Sequence, residues 1–426
     1  MSPADRAADR AAAPVGHGRP PLEPNVKALG AVSLLTDVSS EMIYPLLPLF
    51  VTTVLGGSAT MLGTIEGAAE TTASMLKLAS GWWSDRVAKK PLVLFGYGVS
   101  ALARPLVGIA TAPWHVLVVR MSDRVGKGVR SSPRDALLAA SAAPESRGRA
   151  FGFHRAADNL GAFLGPVVAW LLLSQHMSLQ HVFLWAAVPG AASVAVLLTF
   201  VRERRRGAAD ETAGGAAAER AAPAGTAPVR TAPFGGDVPL GAGFWKYLAV
   251  LGVFTLGASS DAFLLMRAGQ LGVATALIPL LWAMHNLLKA AASTPAGSLS
   301  DRIGRKPLIV AGWTVYALVY LAFARATSAW HAWALFAAYA LYLGLVEGVE
   351  KALVADLVPA ARRGRAFGLY NFTVGIAALP ASVVFGVAWQ RWGSATAFGM
   401  GAAFAGVAAM AFVALVPSRT VELQQP

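Results

Sequence analysis

Long apolar runs separated by short polar segments make up most of this chain. About twenty consecutive apolar residues are enough for a helix to cross a bilayer. By that length the pattern predicts twelve membrane-spanning helices and hence an all-α integral membrane protein. The predicted helices cover 27–50, 59–82, 91–111, 114–138, 149–173, 180–200, 244–266, 272–297, 307–325, 330–356, 365–388 and 393–416.

The polar segments between these helices alternate in charge. One set, near 51–58, 112–113, 174–179 and 267–271, holds almost no Lys or Arg. The other set carries basic clusters, which the positive-inside rule places in the cytoplasm. The pattern therefore predicts a multi-pass protein of the cell inner membrane with both termini in the cytoplasm. The basic clusters are Arg86, Lys89 and Lys90; Arg147 and Arg149; Arg202 and 204–206; Arg302, Arg305 and Lys306; and Arg362, Arg363 and Arg365.

The segments outside the helices include stretches rich in Ala, Pro and Arg that lack apolar periodicity. Such a composition is typical of disorder. We expect a cytoplasmic tail at 1–25, a six-helix bundle at 26–201, a cytoplasmic linker at 202–243, a second six-helix bundle at 244–416 and a tail at 417–426. The basic residues at 202–206 either anchor the linker inside or contact anionic membrane lipid.

Two phrases recur in the chain at one constant offset. Gly-Trp-Trp-Ser-Asp-Arg at 81–86 returns as Gly-Ser-Leu-Ser-Asp-Arg at 297–302, and 297 − 81 = 216. Arg-Gly-Arg-Ala-Phe-Gly at 147–152 returns unchanged at 363–368, and 363 − 147 is again 216. One offset for two separate phrases predicts two pseudo-symmetric halves that arose by duplication.

Composition narrows the class of protein further. The chain is 55% hydrophobic and 14% charged, with a mean hydropathy of +0.53, whereas a soluble domain is about 25% charged. The net charge of +13 would suit nucleic-acid binding, but the basic residues lie in short clusters between apolar runs, so we expect no nucleic-acid partner. Without cysteines, and with histidines at no ligand spacing, we expect no metal and no cofactor. No catalytic motif is present, so we expect no enzyme.

Two six-helix halves, a long central loop and the pattern Gly-x-x-x-Asp-Arg-x-x-(Lys/Arg)-Lys after helices 2 and 8 resemble the major facilitator superfamily. The resemblance implies a monomeric secondary transporter whose halves rock about a central site. It implies that helices 1, 4, 7 and 10 line a cavity for a small-molecule substrate. For the repeated loop it implies a conformational latch of the outward-open state, where a generic basic loop is the alternative. The latch residues are Gly81, Asp85, Arg86, Gly297, Asp301 and Arg302.

Helix 5 contains Gly161, Gly165 and Pro166. The pattern resembles the core of the antiporter motif of drug–proton exporters, although Ala169 and Trp170 stand where that motif has glycines. Small residues four apart also allow two helices to pack closely, and proline bends a helix. Both an exporter signature and a pure packing role remain open for this motif.

Ionisable residues at membrane depth are costly and usually functional. On helix 1, Asp37 and Glu41 are four residues apart and therefore share one face, and helix 2 repeats that spacing with Glu66 and Glu70. These four acids and Asp158 of helix 5 are our candidates for carrying protons. The alternative for intramembrane charges is neutralisation by partners within the bundle.

The substrate candidates are polar, charged or aromatic residues on helices expected to line or flank the cavity. The run around Lys127 and Arg130 suits an anionic group such as a carboxylate or phosphate. The full set is Tyr44, Arg120, Arg124, Lys127, Arg130, His154, Arg155, Asn159, Asp261, His285, Asn286, Lys289 and Glu347.

The 216 offset aligns Arg134 and Asp135 with Glu350 and Lys351, so the two halves carry swapped charges. We hypothesise that Arg134 pairs with Glu350, and Asp135 with Lys351, across the halves on the cytoplasmic side. Inward opening would break these bridges.

Three functions follow from these features. The helix 5 motif and the acidic helix 1 favour a proton-coupled exporter of small organic solutes. The basic helix 4 and Lys289 favour a proton-coupled importer of an organic anion. A membrane receptor or enzyme is the third, which no constellation of residues supports.

Overall fold

The computed structural model describes residues 22–84, 87–142, 146–203, 240–359 and 362–416. In these ranges the regular structure is helical and forms twelve segments, which we number α1 to α12. They are α1 Pro24–Val54, α2 Ala59–Ser84, α3 Lys89–Ile109, α4 Pro113–Ala140, α5 Arg147–Ser174, α6 Leu179–Phe200, α7 Ala242–Gln270, α8 Ile278–Ile303, α9 Arg305–Arg325, α10 Ala329–Asp356, and α11 and α12 within Arg363–Leu415.

The stretch Arg363–Leu415 is divided at Gly393, which has a φ of 84°. Only glycine adopts that left-handed backbone without steric cost. We therefore treat 363–392 as α11 and 394–415 as α12. The membrane-spanning pattern read from the sequence agrees with these twelve segments to within a few residues at most ends.

Eight of the helical stretches described, one of them containing both α11 and α12, are long and apolar enough to span a membrane. The other three, α2, α4 and α8, carry charged side chains along their length. Charged side chains at membrane depth require partners inside the protein. The polar helices therefore mark the parts of the bundle where the interior is charged.

The 216 offset persists in the helix boundaries. Helix α4 spans Pro113–Ala140 and α10 spans Ala329–Asp356, with 329 − 113 = 216 at the start and 356 − 140 = 216 at the end. Likewise α3 begins at Lys89 and α9 at Arg305. The predicted fold class, two pseudo-symmetric six-helix bundles, is confirmed. We call α1–α6 the N-half and α7–α12 the C-half.

The first helix of each half is distorted at nearly equivalent positions, since the 216 offset aligns Tyr44 with Ser260. In α1 the helix tightens to a 3₁₀ turn at Tyr44–Leu46, where Pro45 and Pro48 remove backbone donors. In α7 the helix stops at Gly257 and restarts at Asp261. The Ser260 side chain caps the second part by accepting a hydrogen bond from the Ala262 N–H at 3.3 Å. Both distortions lie beside the central cavity described below.

Close helix packing joins the halves along α2–α11 and α5–α8. A Cβ added at Gly63 of α2 would lie 2.2 Å from the Ser382 carbonyl oxygen of α11, and one at Gly375 would lie 2.1 Å from the Ser74 Cβ. Such contacts allow no side chain at either glycine. The two helix pairs therefore form the axis about which the halves meet.

The two ends of the bundle differ in how the halves meet. We call the end with the loops after α2, α4, α6, α8 and α10 the basic end, and the other the opposite end. At the opposite end, Leu46 and Phe50 of α1 share one buried apolar cluster with Phe263 and Leu264 of α7. Near the basic end a separate cluster, including Val26 and Tyr97, lies within the N-half alone. The halves therefore share a core at the opposite end.

Parts of the predicted domain organisation lie outside the described residues. These are 1–21, 204–239 and 417–426, together with Asp85 and Arg86 of the first latch loop. The boundaries of tail and linker stay predictions, although α1 begins at Pro24, just inside the tail expected at 1–25.

Candidate functional site

A central cavity of about 420 Å³ lies between the halves. Helices α1, α2, α3 and α4 of the N-half and α7 and α11 of the C-half line it. Its charged lining residues are Asp37, Glu41, Glu66, Glu70, Asp261, Arg104, Arg120, Arg124, Lys127 and Arg130. Most of the predicted proton candidates and the helix 4 cations therefore converge on one space.

A second cavity of about 490 Å³ lies toward the basic end. It shares Asp37, Lys127 and Arg130 with the central cavity and extends to Arg134 and Asp135 near the end of α4. Because the opposite end is filled by the shared apolar core, the polar space inside the molecule leads toward the basic end.

Glu66 and Arg120 form a two-pronged ion pair between α2 and α4. Arg120 Nε donates to Glu66 Oε1 at 3.0 Å, and Arg120 Nη2 donates to Oε2 at 2.8 Å. Both residues are buried, and the guanidinium also lies 5.5 Å from the Tyr44 ring centroid. This geometry satisfies both charges inside the N-half. The alternative of internal neutralisation therefore describes this pair well.

Arg104 of α3 forms a second buried ion pair. Its Nε donates to Asp123 Oδ1 at 2.9 Å, and its Nη1 donates to the Thr36 carbonyl at 2.8 Å. The bond network thus ties α3, α4 and α1 together. Arg104 was not among the residues predicted from the sequence, although a single arginine inside the apolar run 91–111 was the available signal.

Arg130 is satisfied by neutral partners of α3. Its Nη1 donates to Ser100 Oγ at 2.6 Å, and its guanidinium lies 4.4 Å from the Tyr97 ring centroid. Gly96 and Gly126 make this closeness possible, because a Cβ on either would lie 2.5 Å from the other's carbonyl oxygen. Arg130 lines the cavity with much of its charge already engaged.

Four charged cavity residues lack such partners. The side chains of Asp37, Glu70, Arg124 and Lys127 make no direct hydrogen bond or ion pair within the part of the chain that the structure describes. Arg124 Nε is buried and has no hydrogen-bond partner. These groups are the ones available to a solute.

Glu41 connects the two halves. Trp282 of α8 donates its indole N–H to Glu41 Oε2 at 2.7 Å, and the Trp282 ring lies 5.3 Å from the Tyr44 ring. Asn286, one turn further along α8, donates to the Ala162 carbonyl of α5 at 3.0 Å. Trp282 was not predicted from the sequence, because a tryptophan in an apolar helix cannot be distinguished there from one that only packs in the core.

Asp261 and His285 belong to the aromatic interior of the C-half. The Tyr339 hydroxyl donates to Asp261 Oδ1 at 2.6 Å. His285 is buried and stacks between Trp282 and Tyr339, with ring centroids at 4.7 and 5.4 Å. Asp261 therefore reaches the central cavity as expected, whereas His285 is not among its lining residues.

The candidates of α5 divide between two environments. The Ser33 hydroxyl donates to Asp158, and His154 Nδ1 lies 3.5 Å from Asp158 Oδ2. Asp158 lines the cavity near the basic end, and His154 is buried beside it. Arg155 and Asn159 are exposed and line neither cavity.

Lys289 and Glu347 meet each other outside the central cavity. Lys289 Nζ lies 3.0 Å from Glu347 Oε2, and Lys351 Nζ lies 3.3 Å from Oε1. Arg155 of the N-half approaches the same carboxylate at 3.4 Å. Glu347 is therefore the acid shared by three cations.

The hypothesised bridges between the halves are absent from this conformation. Arg134 pairs with its neighbour Asp135 at 2.9 Å. Glu350 is buried and accepts hydrogen bonds from Trp313 Nε1 and the Tyr370 hydroxyl, both at 2.9 Å. These partners lie on α9 and α11, so Glu350 faces the interior of its own half, away from Arg134.

The glycine motif of α5 packs against α1. A Cβ on Gly161 would lie 2.5 Å from the Leu34 carbonyl oxygen, and one on Gly165 would lie 2.9 Å from the Glu41 Cβ. The motif, with Pro166 following it, therefore sets how closely Glu41 approaches α5.

In the second latch loop, Arg305 is the connecting residue. Its Nη1 lies 2.5 Å from Asp301 Oδ1, and its Nε lies 3.3 Å from Asp356 Oδ2 of α10. Arg302 is exposed, and a Cβ on Gly297 would meet open space. In the first loop Gly81 lies in α2, and Asp85 and Arg86 lie outside the described residues. The latch role stays a prediction.

A two-half helical bundle with a central charged cavity is the architecture of a transporter, and the chain belongs to the Major Facilitator Superfamily. The family model matches residues 29–284 and again 247–426. A relative from Methanocaldococcus jannaschii, "Uncharacterized MFS-type transporter MJ1317", is 33% identical over 377 residues, covering 87% of this chain and 89% of the relative.

A more distant relative is named for drug resistance. "Multidrug resistance protein MdtH" of Photorhabdus laumondii is 28% identical over 141 residues, which is 33% of this chain and 35% of the relative. Among solved structures, the nucleoside transporter NupG matches with a TM-score of 0.72 at 15% identity, covering 92% of this chain and 99% of NupG. The latter likeness establishes the fold alone.

Proposed function

We propose that this protein is a proton-coupled secondary transporter that exports a small organic solute by alternating access. The observation that carries the proposal is the central cavity between the halves, with Asp37 and Glu41 of α1 facing it. Intramembrane carboxylates beside a solute cavity are typical proton carriers.

The distribution of Lys and Arg supports a cytoplasmic location for the basic end. With that orientation the polar space faces the cytoplasm, and the apolar core shared by Leu46, Phe50 and Phe263 closes the outer side. The conformation is then inward-facing. The hypothesised bridges from Arg134 and Asp135 to the C-half would form only when the cytoplasmic side closes.

We favour Glu41 as the residue through which proton binding changes the conformation. Its carboxylate accepts the Trp282 N–H across the halves at 2.7 Å. A proton on Glu41 would weaken this acceptor, because ionised acceptors make stronger hydrogen bonds. Proton binding would thereby loosen the outer closure.

Export is favoured by the Gly161–Gly165 motif of α5 and by the name of the MdtH relatives. The second candidate is proton-coupled import of an organic anion. It is favoured by Arg124 and Lys127, two cations that line the cavity without direct partners.

The test is reconstitution of the purified protein in liposomes with an imposed pH gradient and a panel of labelled organic anions and cations. We expect uptake that follows the gradient. Asp37→Asn or Glu41→Gln should abolish the response to the gradient while solute exchange continues. Transport that ignores the gradient in the unmodified protein would count against proton coupling.

Direction is tested in cells. Deletion of an exporter should sensitise the host to toxic solutes, and expression should restore resistance. Loss of growth on a nutrient, with unchanged sensitivity, would favour import.

A further inference from the structure

Two pairs of like charge face the central cavity from different helices. Asp37 and Glu41 are one turn apart on α1, and Arg124 and Lys127 are one turn apart on α4. The acidic pair and the basic pair line the same 420 Å³ space. A solute in this space therefore meets both signs of charge at once.

Most of the other N-half charges of the cavity are already engaged; the exception is Glu70 of α2, which has no direct partner among the described residues. Arg120 holds Glu66, and Arg104 holds Asp123, at 2.8–3.0 Å. By contrast, the buried Arg124 Nε has no partner. A buried donor without an acceptor is energetically costly. A negatively charged ligand group beside Arg124 would remove that cost.

The C-half contributes a largely uncharged wall. Ala258 and Ser259 of α7 and Val374, Ala378 and Ser382 of α11 line the cavity opposite the charged helices. In this wall the one charged lining residue is Asp261, whose carboxylate already accepts the Tyr339 hydroxyl. Recognition of charge is therefore concentrated in the N-half.

We propose that the transported solute is zwitterionic. Its anionic group binds Arg124 and Lys127, its cationic group binds Asp37, and its uncharged body lies against the wall formed by α7 and α11. Charge-assisted hydrogen bonds of this kind are the strong ones. A purely cationic solute would leave Arg124 and Lys127 without an anionic group to bind, and a purely anionic one would leave Asp37 without a cationic group. This assignment rests on the proposed function and specifies the substrate class of the same cavity.

The experiment uses the purified full-length protein in detergent and follows its thermal unfolding. The probes are amino acids, each tested as the zwitterion, as the N-acetylated anion and as the carboxamide cation. We expect the zwitterion of at least one scaffold to raise the unfolding midpoint more than either derivative of that scaffold. Binding of a ligand to the folded state alone produces such a shift.

Variants of the protein test the carboxylate and the ammonium group of the probe separately. Lys127→Met should remove the advantage of a free carboxylate, and Asp37→Asn the advantage of a free ammonium group, whereas Asp37→Glu should keep it. Lys246→Met is the matched control, because Lys246 is an exposed lysine of α7 that does not line the central cavity. Its response to every probe should equal that of the unmodified protein.

Stabilisation by the amides alone, by the N-acetyl forms alone, or by no form of any scaffold would overturn the assignment. A shift with the amides alone would leave proton-coupled export intact with a cationic substrate. A zwitterion that stabilises the protein but whose uptake ignores a pH gradient would overturn the coupling and leave the charge assignment standing.

Discussion

The two halves share helix boundaries but differ in what lies between their helices. In the N-half the ion pair of Glu66 and Arg120 joins α2 to α4. The equivalent residues of the C-half, 216 positions later, are Trp282 and Phe336, both buried. A charged pair at one site thus corresponds to two aromatic rings at the other.

A second site shows the same exchange. Arg104 and Asp123 pair in the N-half at 2.9 Å, and their equivalents Tyr320 and Tyr339 both lie against Tyr316 in the C-half, with centroids 4.1 and 6.2 Å away. Aromatic contacts depend on shape and little on charge, whereas ion pairs respond to protons and ions. The two halves therefore share a scaffold, but the N-half carries the chemistry that a proton or solute can alter.

The largest effect is expected from breaking the charged pair. Arg120→Met leaves Glu66 buried without a counter-charge, which typically costs about 3–5 kcal/mol. Unfolding of the purified protein by a denaturing detergent measures the loss. Adding Glu66→Leu should recover most of it, since no charge then remains buried.

The aromatic counterpart supplies the control. Phe336→Leu in the C-half should cost only about 1 kcal/mol. Equal losses of stability in Arg120→Met and Phe336→Leu would contradict the view that ion pairs stabilise the interior of the N-half and aromatic packing that of the C-half.

The next effect concerns helix spacing. Gly165→Ala would bring a Cβ within 2.7 Å of the Val38 carbonyl oxygen, and overpacking of this kind costs about 1–3 kcal/mol. The equivalent C-half residue is Ala381, which already carries a Cβ. Ala381→Gly is therefore the matched control, with a small expected shift of the unfolding midpoint. If Gly165→Ala left the unfolding midpoint unchanged, the spacing between α1 and α5 would be adjustable.

Trp282→Phe tests the contact between the halves. It removes the N–H donor to Glu41, at a cost of about 1–3 kcal/mol, and should loosen the opposite end. The chain has no cysteine, so Leu49→Cys, at a buried position, reports opening through its rate of reaction with a polar maleimide. We expect a faster rate in Trp282→Phe.

Trp313→Phe is the control for that measurement. It also removes an indole donor to a glutamate, Glu350, but within the C-half. Labelling of Leu49→Cys should not change. If both variants accelerated the labelling equally, the cause would be a general loosening of the protein and not the loss of the contact between the halves.

The smallest effect on stability is expected from Asp135→Asn, because the Asp135 side chain is 51% exposed and such pairs contribute about 0–1 kcal/mol. Transport should respond more strongly, if Asp135 meets Lys351 when the cytoplasmic side closes. Asp135→Lys should then impair transport, and adding Lys351→Asp should restore it. Failure of the double variant to recover would refute the pairing.

The order of helices and most of their ends were predictable, because each lipid-facing helix requires an apolar run of fixed length and each basic cluster ends one. The break in α7 at 258–260 was not, since the predicted helix 244–266 runs through it. Its residues Ala258, Ser259 and Ser260 break no compositional rule. Their role follows from the cavity beside them and from the Ser260 cap.

The sequence by itself determined the duplicated all-helical membrane fold and the acids and bases that would lie at membrane depth. The spacing of apolar residues and the 216-residue repeat offset are properties of the linear sequence, so they can be read from the chain. Only the tertiary structure decided which charges neutralise each other, as Arg120 does Glu66. It alone decided which charged residues, such as Asp37 and Lys127, face the cavity without a direct partner. Partner choice depends on distances between helices far apart in the chain, which no local pattern encodes.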